Sequence, residues 1–287
     1  MHLFLCSNES FKIGTCITLL SLIDHLSKHQ RIQIHILNRD FSQDTEDAFK
    51  LLIQNSSADA GIDFKKIDAE DFTQIRQDNR TSLGRDFPID VYLRLFIPAC
   101  YPEVEFGIYL DSDILVQKDL SQLLKYKKEA IPLAAVIDEG TSTISHENEL
   151  LDCEALGLNP QAPYFNSGFL VMNLKLWERE SFLGSCFDIA RKTKVRWADQ
   201  SILNVLYSEN WSPIDTSWNN MIAPWQKEYL FPKTDTNYHF YGPSKPWDYP
   251  PILSFGIVRK IHNYLKRAPA KLLKDYKSIR KPYPFFT

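Results

Sequence analysis

Two periods alternate along the first third of the chain. His2–Cys6 is a short apolar run. Cys16, Leu19, Leu20, Ile23 and Leu26 then recur at the three-and-four spacing of one helical face. Ile32, Ile34 and Ile36 within Arg31–Leu37 repeat every second residue, the period of a strand. Asp44–Gln54 returns to a helical pattern, and Ile62–Ile67 to an extended one. Strand and helix taking turns predicts right-handed βαβ units, hence an α/β fold with a mainly parallel sheet and helices on both faces. Asp90–Pro98 reads as a short helix carrying Arg94. Phe106–Leu110 is apolar at every position, as a central strand covered on both faces must be, and it stops at Asp111-Ser112-Asp113. Pro132–Ile137 and Gly168–Asn173 read as further strands, Leu174–Thr193 and Gln200–Ser208 as helices. From Trp211 to Pro250 Trp, Pro, Asn and Tyr displace any period, and the stretch reads as long functional loops.

Composition narrows the class. Apolar residues make up 44% and charged residues 24% of the 287, an ordinary globular mixture. The longest apolar runs, such as Leu133–Ile137, fall far short of the ~18 residues that span a bilayer. The N-terminus lacks a basic segment and a small-residue cleavage site, so a secretory signal is not expected. The five cysteines are scattered with no CxxC pair, which fits free thiols in a reducing compartment and a cytoplasmic location, with the inner membrane face as an alternative. The net charge of −3 is unevenly spread: residues 256–287 carry nine Lys or Arg against Asp275. The chain thus divides into an acidic body, 1–255, and a basic, partly helical tail, 256–287. An acidic body argues against a nucleic-acid ligand.

The tail has a second reading. Leu272, Leu273, Tyr276 and Ile279 fall on one helical face with Lys271, Lys274 and Lys277 off it, and Tyr283, Phe285 and Phe286 follow. Such a segment, 268–287, can lie in an anionic membrane surface. It can equally pack its apolar face on the body.

No GxGxxG, GxxxxGK[ST] or GxSxG loop is present, so dinucleotide, P-loop and serine-elbow chemistry are not indicated. What is present is an Asp-Ser-Asp at the carboxyl end of an apolar strand, where open α/β sheets bind ligands. Asp111 and Asp113 there can share one hard cation and a bridging diphosphate. His239 can complete such a site. In the same loop, His239-Phe240-Tyr241-Gly242-Pro243-Ser244-Lys245-Pro246-Trp247, Gly242 allows close backbone approach to a phosphate and Lys245 offers a point charge. Asn166, in Tyr164-Phe165-Asn166-Ser167-Gly168, together with Asp199 and Gln200, supplies the amides and carboxylates that bind sugar hydroxyls. Asp199 also fits as a plain helix N-cap.

Taken in order, Leu93-Arg94-Leu95, Tyr109-Leu110-Asp111-Ser112-Asp113, Asp138, Phe165-Asn166-Ser167-Gly168, Asp199-Gln200 and His239-x-x-Gly242-x-x-Lys245-Pro246-Trp247 resemble the family 8 retaining glycosyltransferases, from residue 1 to about 250. The resemblance implies a GT-A-type fold, Mn²⁺ (with Mg²⁺ as the alternative), and transfer of glucose or galactose from UDP-glucose or UDP-galactose to a carbohydrate or glycoprotein acceptor. It implies metal ligands at Asp111, Asp113 and His239, and diphosphate contacts at Gly242 and Lys245. Arg94, Ser112, Asp138, Asn166, Ser167, Asp199 and Gln200 fall at positions around the donor sugar and acceptor, with Gln200, Asp199 and Asp138 nearest the reaction. The family's usual base-reading Asp and stacking Tyr are here Asn8 and Phe11; an Asn carbonyl still accepts from uracil N3–H. Two other classes compete. A DxD-type metal phosphohydrolase would want Thr or Val where Leu115 stands, and a later GDxxxD loop. A non-catalytic sugar-binding module would not need the intact metal set.

Overall fold

A computed structural model describes residues 1–27, 30–68, 88–147, 149, 151–177, 179–223, 226–249, 256–274 and 276. Its strands are β1 (His2–Ser7), β2 (Ile32–Asn38), β3 (Ala60–Lys66), β4 (Gly107–Asp111), β5 (Ile114–Leu115), β6 (Leu133–Ile137), β7 (Phe165–Met172), β8 (Ser212–Pro213), β9 (Asn220–Ile222) and β10 (Tyr238–Phe240). Among the described residues, seven strands form one sheet in the order β3-β2-β1-β4-β7-β6-β8, and β5-β10-β9 form a second. Pairs β3/β2, β2/β1, β1/β4 and β6/β8 are parallel; β7 runs antiparallel to both neighbours.

The alternation read from the sequence sorts side chains onto two cores. Leu3, Leu5, Ile34, Ile36, Ile108 and Leu110 face the layer that holds Cys16, Leu19, Phe49 and Leu52 from the helices Lys12–His25 and Gln43–Gln54. Phe4, Tyr109, Leu170 and Met172 face the opposite layer, with Leu93 and Leu95, Phe182 and Cys186, and Ile202 and Leu203. A third cluster joins Ile13 and Ile17 to Leu115, Tyr238, Phe240 and Trp247, and to Ile257, Val258, Ile261 and Leu265 of the helix Gly256–Leu265. Burying a large aliphatic side chain contributes about 1.5–3 kcal/mol, so that helix is anchored on the body.

Several elements differ from the sequence reading. The segment expected as a helix over 90–98 is a 3-10 helix, Ile89–Phe96, followed by one α-turn, Ile97–Cys100, with Pro98 in its first turn. The helix expected from Leu174 starts at Arg179 and ends at Lys192, after a 3-10 turn at Leu174–Leu176. The stretch 211–250 holds the short strands β8, β9 and β10. Of the segment 268–287, the described residues make one helical turn, Ala270–Leu273, with Leu272 fully buried and Lys271 paired to Asp44 at 2.8 Å. Ile279, Tyr283, Phe285 and Phe286 lie outside the described residues. No helix among the described residues is long and apolar enough to cross a membrane.

Sheet order places the site. The strand order switches at β1 and β4: from β1 the chain steps outwards to β2 and β3, and β4 returns to the other side of β1, the kind of point where open α/β sheets bind ligands beyond the carboxyl ends. Asn8 follows the last residue of β1, and Asp111 is the last residue of β4.

Candidate active site

The Asp111-Ser112-Asp113 turn joins β4 to β5, and β5 pairs with β10 so that Ile114 lies opposite His239. This pairing brings His239 from 126 positions away onto the two aspartates. His239 Nε2 lies 3.6 Å from Asp111 Oδ2 and 3.3 Å from Asp113 Oδ1, and one ligand atom from each of the three residues falls within 4.8 Å of the others. Ser112 Oγ donates to Cys6 O at 2.8 Å and pins the turn to the end of β1.

The His239 tautomer follows from a chain of fixed roles. Asp138 accepts only, so Asn166 Nδ2 donates to its Oδ2 at 2.9 Å. Asn166 Oδ1 then accepts from Asn219 Nδ2 at 2.8 Å. Asn219 Oδ1 must accept from His239 Nδ1 at 3.1 Å, which leaves Nε2 turned to the carboxylates. Asn219 belongs to this network, and the sequence reading did not single it out. Gly168, quoted from the sequence only as the end of a motif, gains a specific role: a Cβ there would lie 2.3 Å from His239 Cε1 and 2.8 Å from Asp111 Oδ2. Two carboxylates and an imidazole, held open by a glycine, fit a hard divalent cation.

The charges at these residues act strongly on one another. Burial by itself would raise the Asp113 carboxyl, but Lys245 and His239 outweigh it and hold it well below the usual range. Burial would lower His239, yet Asp113 and Asp111 raise it. Lys245 Nζ is 2.7 Å from Asp113 Oδ2, bonds Phe240 O, and lies 5.7 Å from the Phe11 ring centroid. Gly242 has φ of 83°, a conformation that favours glycine.

Beyond the aspartates lies a second network. Arg94 Nη2 reaches Asp111 Oδ1 at 2.9 Å, Nε reaches Asp199 Oδ2 at 2.9 Å, and Nη1 donates to Ser167 O at 2.7 Å. Burial pushes Asp199 up to about 6 against the pull of Arg94. Asp199 is the first residue of the helix Asp199–Leu206, and the N-cap position belongs to Ala198, whose φ of 52° is strained. Glu149 steadies that turn, accepting from Arg196 N, Tyr164 Oη and Ser201 Oγ. Gln200 is held at both ends of its amide: Oε1 accepts from Ser167 N at 2.9 Å, and Nε2 donates to Asp138 Oδ2 at 3.2 Å.

A cleft of about 700 Å³ is lined by Arg94, Asp111, Asp138, Asn166, Ser167, Asp199, Gln200, His239 and Gly242, among others. Asp113, Ser112 and Lys245 adjoin it through the contacts above. Asn8 and Phe11 do not line it; they sit at the end of β1, connected by Lys245. The Asn8 carbonyl, expected to accept from a base, already accepts from Phe11 N at 3.0 Å and Ser10 Oγ at 2.7 Å.

Comparison with known proteins gives these features a class. The family model for glycosyl transferase family 8 matches residues 2–250, and the chain belongs to that family. Its fold is of the GT-A type. Glycosyltransferase GlyA of Streptococcus pneumoniae is 30% identical over 168 residues, 56% of this chain and 22% of that protein. The lipopolysaccharide 1,2-glucosyltransferase of Escherichia coli is 24% identical over 290 residues, covering 96% of this chain and 80% of the other. The crystal structure of the galactosyltransferase LgtC with donor and acceptor sugar analogues superposes with a TM-score of 0.73 at 20% identity, over 93% of this chain and 96% of that one. The chain thus spans about a fifth of the streptococcal relative and most of the other two. Family membership sets the phosphohydrolase reading aside.

Proposed function

We propose that the protein transfers a hexose, glucose or galactose, from a UDP-sugar to a saccharide, glycan or glycoprotein acceptor, with retention at the anomeric carbon and with Mn²⁺, or Mg²⁺ in its place. The observation that carries this reading is the meeting of Asp111, Asp113 and His239 beside a cleft that the Arg94–Asp199 and Asp138–Asn166–Gln200 network also lines. A divalent cation held by the first three would neutralise a departing nucleoside diphosphate. Lys245 adds a second positive charge on the leaving-group side, and Gly242 gives backbone room beside it.

The remaining residues orient the sugar. Asp138, Asn166 and Gln200 hold one another and present acceptors and amide hydrogens to hydroxyl groups. Gln200 is neutral and tied at both ends, which makes it a poor nucleophile. The Asp199 carboxylate is locked to Arg94 Nε and Ser167 Oγ. Neither arrangement suits a covalent glycosyl intermediate, which in retaining hydrolases needs a free carboxylate. The acceptor hydroxyl therefore attacks on the leaving-group face, and a departing phosphate oxygen takes its proton.

A donor screen tests the reading. UDP-glucose, UDP-galactose, GDP-glucose and ADP-glucose are each incubated with the protein and Mn²⁺, nucleoside diphosphate release is recorded, and the first sugar product is examined by proton NMR. Release from a UDP-hexose with an α product is expected. No turnover of any UDP-sugar, or a β first product, would contradict it.

A further inference from the structure

Asn8 has spent its acceptor. Its carbonyl oxygen receives Phe11 N and Ser10 Oγ, and its amide gives one hydrogen to Asp90 Oδ2 at 3.0 Å. One amide hydrogen remains and no lone pair does. Asp90 is the reverse case. Its Oδ1 is buried without a hydrogen bond, and Arg39 Nε approaches it only to 3.5 Å. A buried acceptor left unmade is costly, so it points to a donor that arrives with a ligand. The two neighbouring carboxylates are already engaged: Glu9 holds Lys12, Ser42 N and Thr45, while Asp40 holds Glu9 N.

A donor and an acceptor side by side match one edge of uracil, where the N3–H donor neighbours a carbonyl. Asn8 lies at the crevice end of β1, and Phe11, three residues on, connects through Lys245 to Asp113. That line places a base at one end and its diphosphate at the other. We propose that Asp90 is the base-specificity residue of the donor site: Asp90 accepts uracil N3–H, and the free amide hydrogen of Asn8 donates to the adjacent carbonyl. The proposal rests on the nucleotide-sugar reading above. Cytosine would set the lone pair of its N3 against the Asp90 carboxylate and is rejected.

UDP and CDP titrated calorimetrically into the full-length protein with Mn²⁺ provide the test. Wild type prefers UDP. Asp90→Asn, which turns an amide donor towards N3, lowers the UDP-over-CDP ratio by about tenfold or more. Asn8→Asp sets two carboxylates 3 Å apart and weakens binding of both. The double variant Asn8→Asp/Asp90→Asn restores the acceptor and the UDP preference, which a merely structural role would not predict. Asp90→Ser serves if Asp90→Asn does not melt cooperatively, and it too loses the preference. A folded Asp90 variant that keeps the wild-type ratio overturns the assignment while leaving UDP binding intact. Wild type that binds neither diphosphate overturns the nucleotide-sugar reading and this one with it.

Discussion

Gly168 shows how one missing methyl group makes room for the Asp111 and His239 side chains. Its strand backbone is ordinary, so alanine fits it; what does not fit is a Cβ 2.3 Å from His239 Cε1. Gly168→Ala should therefore push His239 off its place and weaken Mn²⁺ binding by about ten- to a hundredfold, with a small change in melting temperature. A titration that finds wild-type Mn²⁺ affinity would refute this account of Gly168. The residue scale also explains what was legible. Asp111 and Asp113 stand out because an apolar strand ends on them, and His239 because Gly242 and Lys245 share its loop. Asn219 and Glu149 carry no such signal. They act through hydrogen bonds to residues 15 to 53 positions away, and a sequence does not display such partners.

Among the elements, the long ones were readable and the short ones were not. β1, β2 and β4 each offer five or more residues of apolar pattern, and their parallel pairing follows from the helices between them. β5, β8, β9 and β10 have two or three residues, too few to show a period. Yet the β5/β10 pair is what brings His239 to Asp113. The direction of β7 was equally hidden, because a strand buried on both faces has the same composition in either direction. The tail illustrates a pattern with two readings. Its turn buries Leu272 against the body, and Arg267 pairs with Asp24 at 2.5 and 2.8 Å. Leu272→Ala should cost about 2–5 kcal/mol in urea unfolding. An unchanged stability, together with co-flotation of the wild type but not the variant with anionic liposomes at low salt, would favour the membrane reading instead.

At the scale of the whole molecule, the sheet's switch point organises a single line of function. Asn8 and Asp90 stand at one end, Lys245 and the Asp111–Asp113–His239 cluster at the centre, and Asp138, Asn166, Asp199 and Gln200 at the other. Buried acids of this number need compensation. Arg94 and Lys245 supply part of it, and a divalent cation would supply the rest. The account's central claim is that glycosyl transfer depends on that cation at those three residues. Its most direct test is the rate of UDP release from the preferred UDP-hexose in excess EDTA, after Mn²⁺ is returned, and in Asp113→Ala and His239→Ala at wild-type melting temperature. The account predicts turnover abolished by EDTA, restored by Mn²⁺, and lost by at least about a hundredfold in both folded variants. Undiminished release in EDTA, or in either variant, would contradict it.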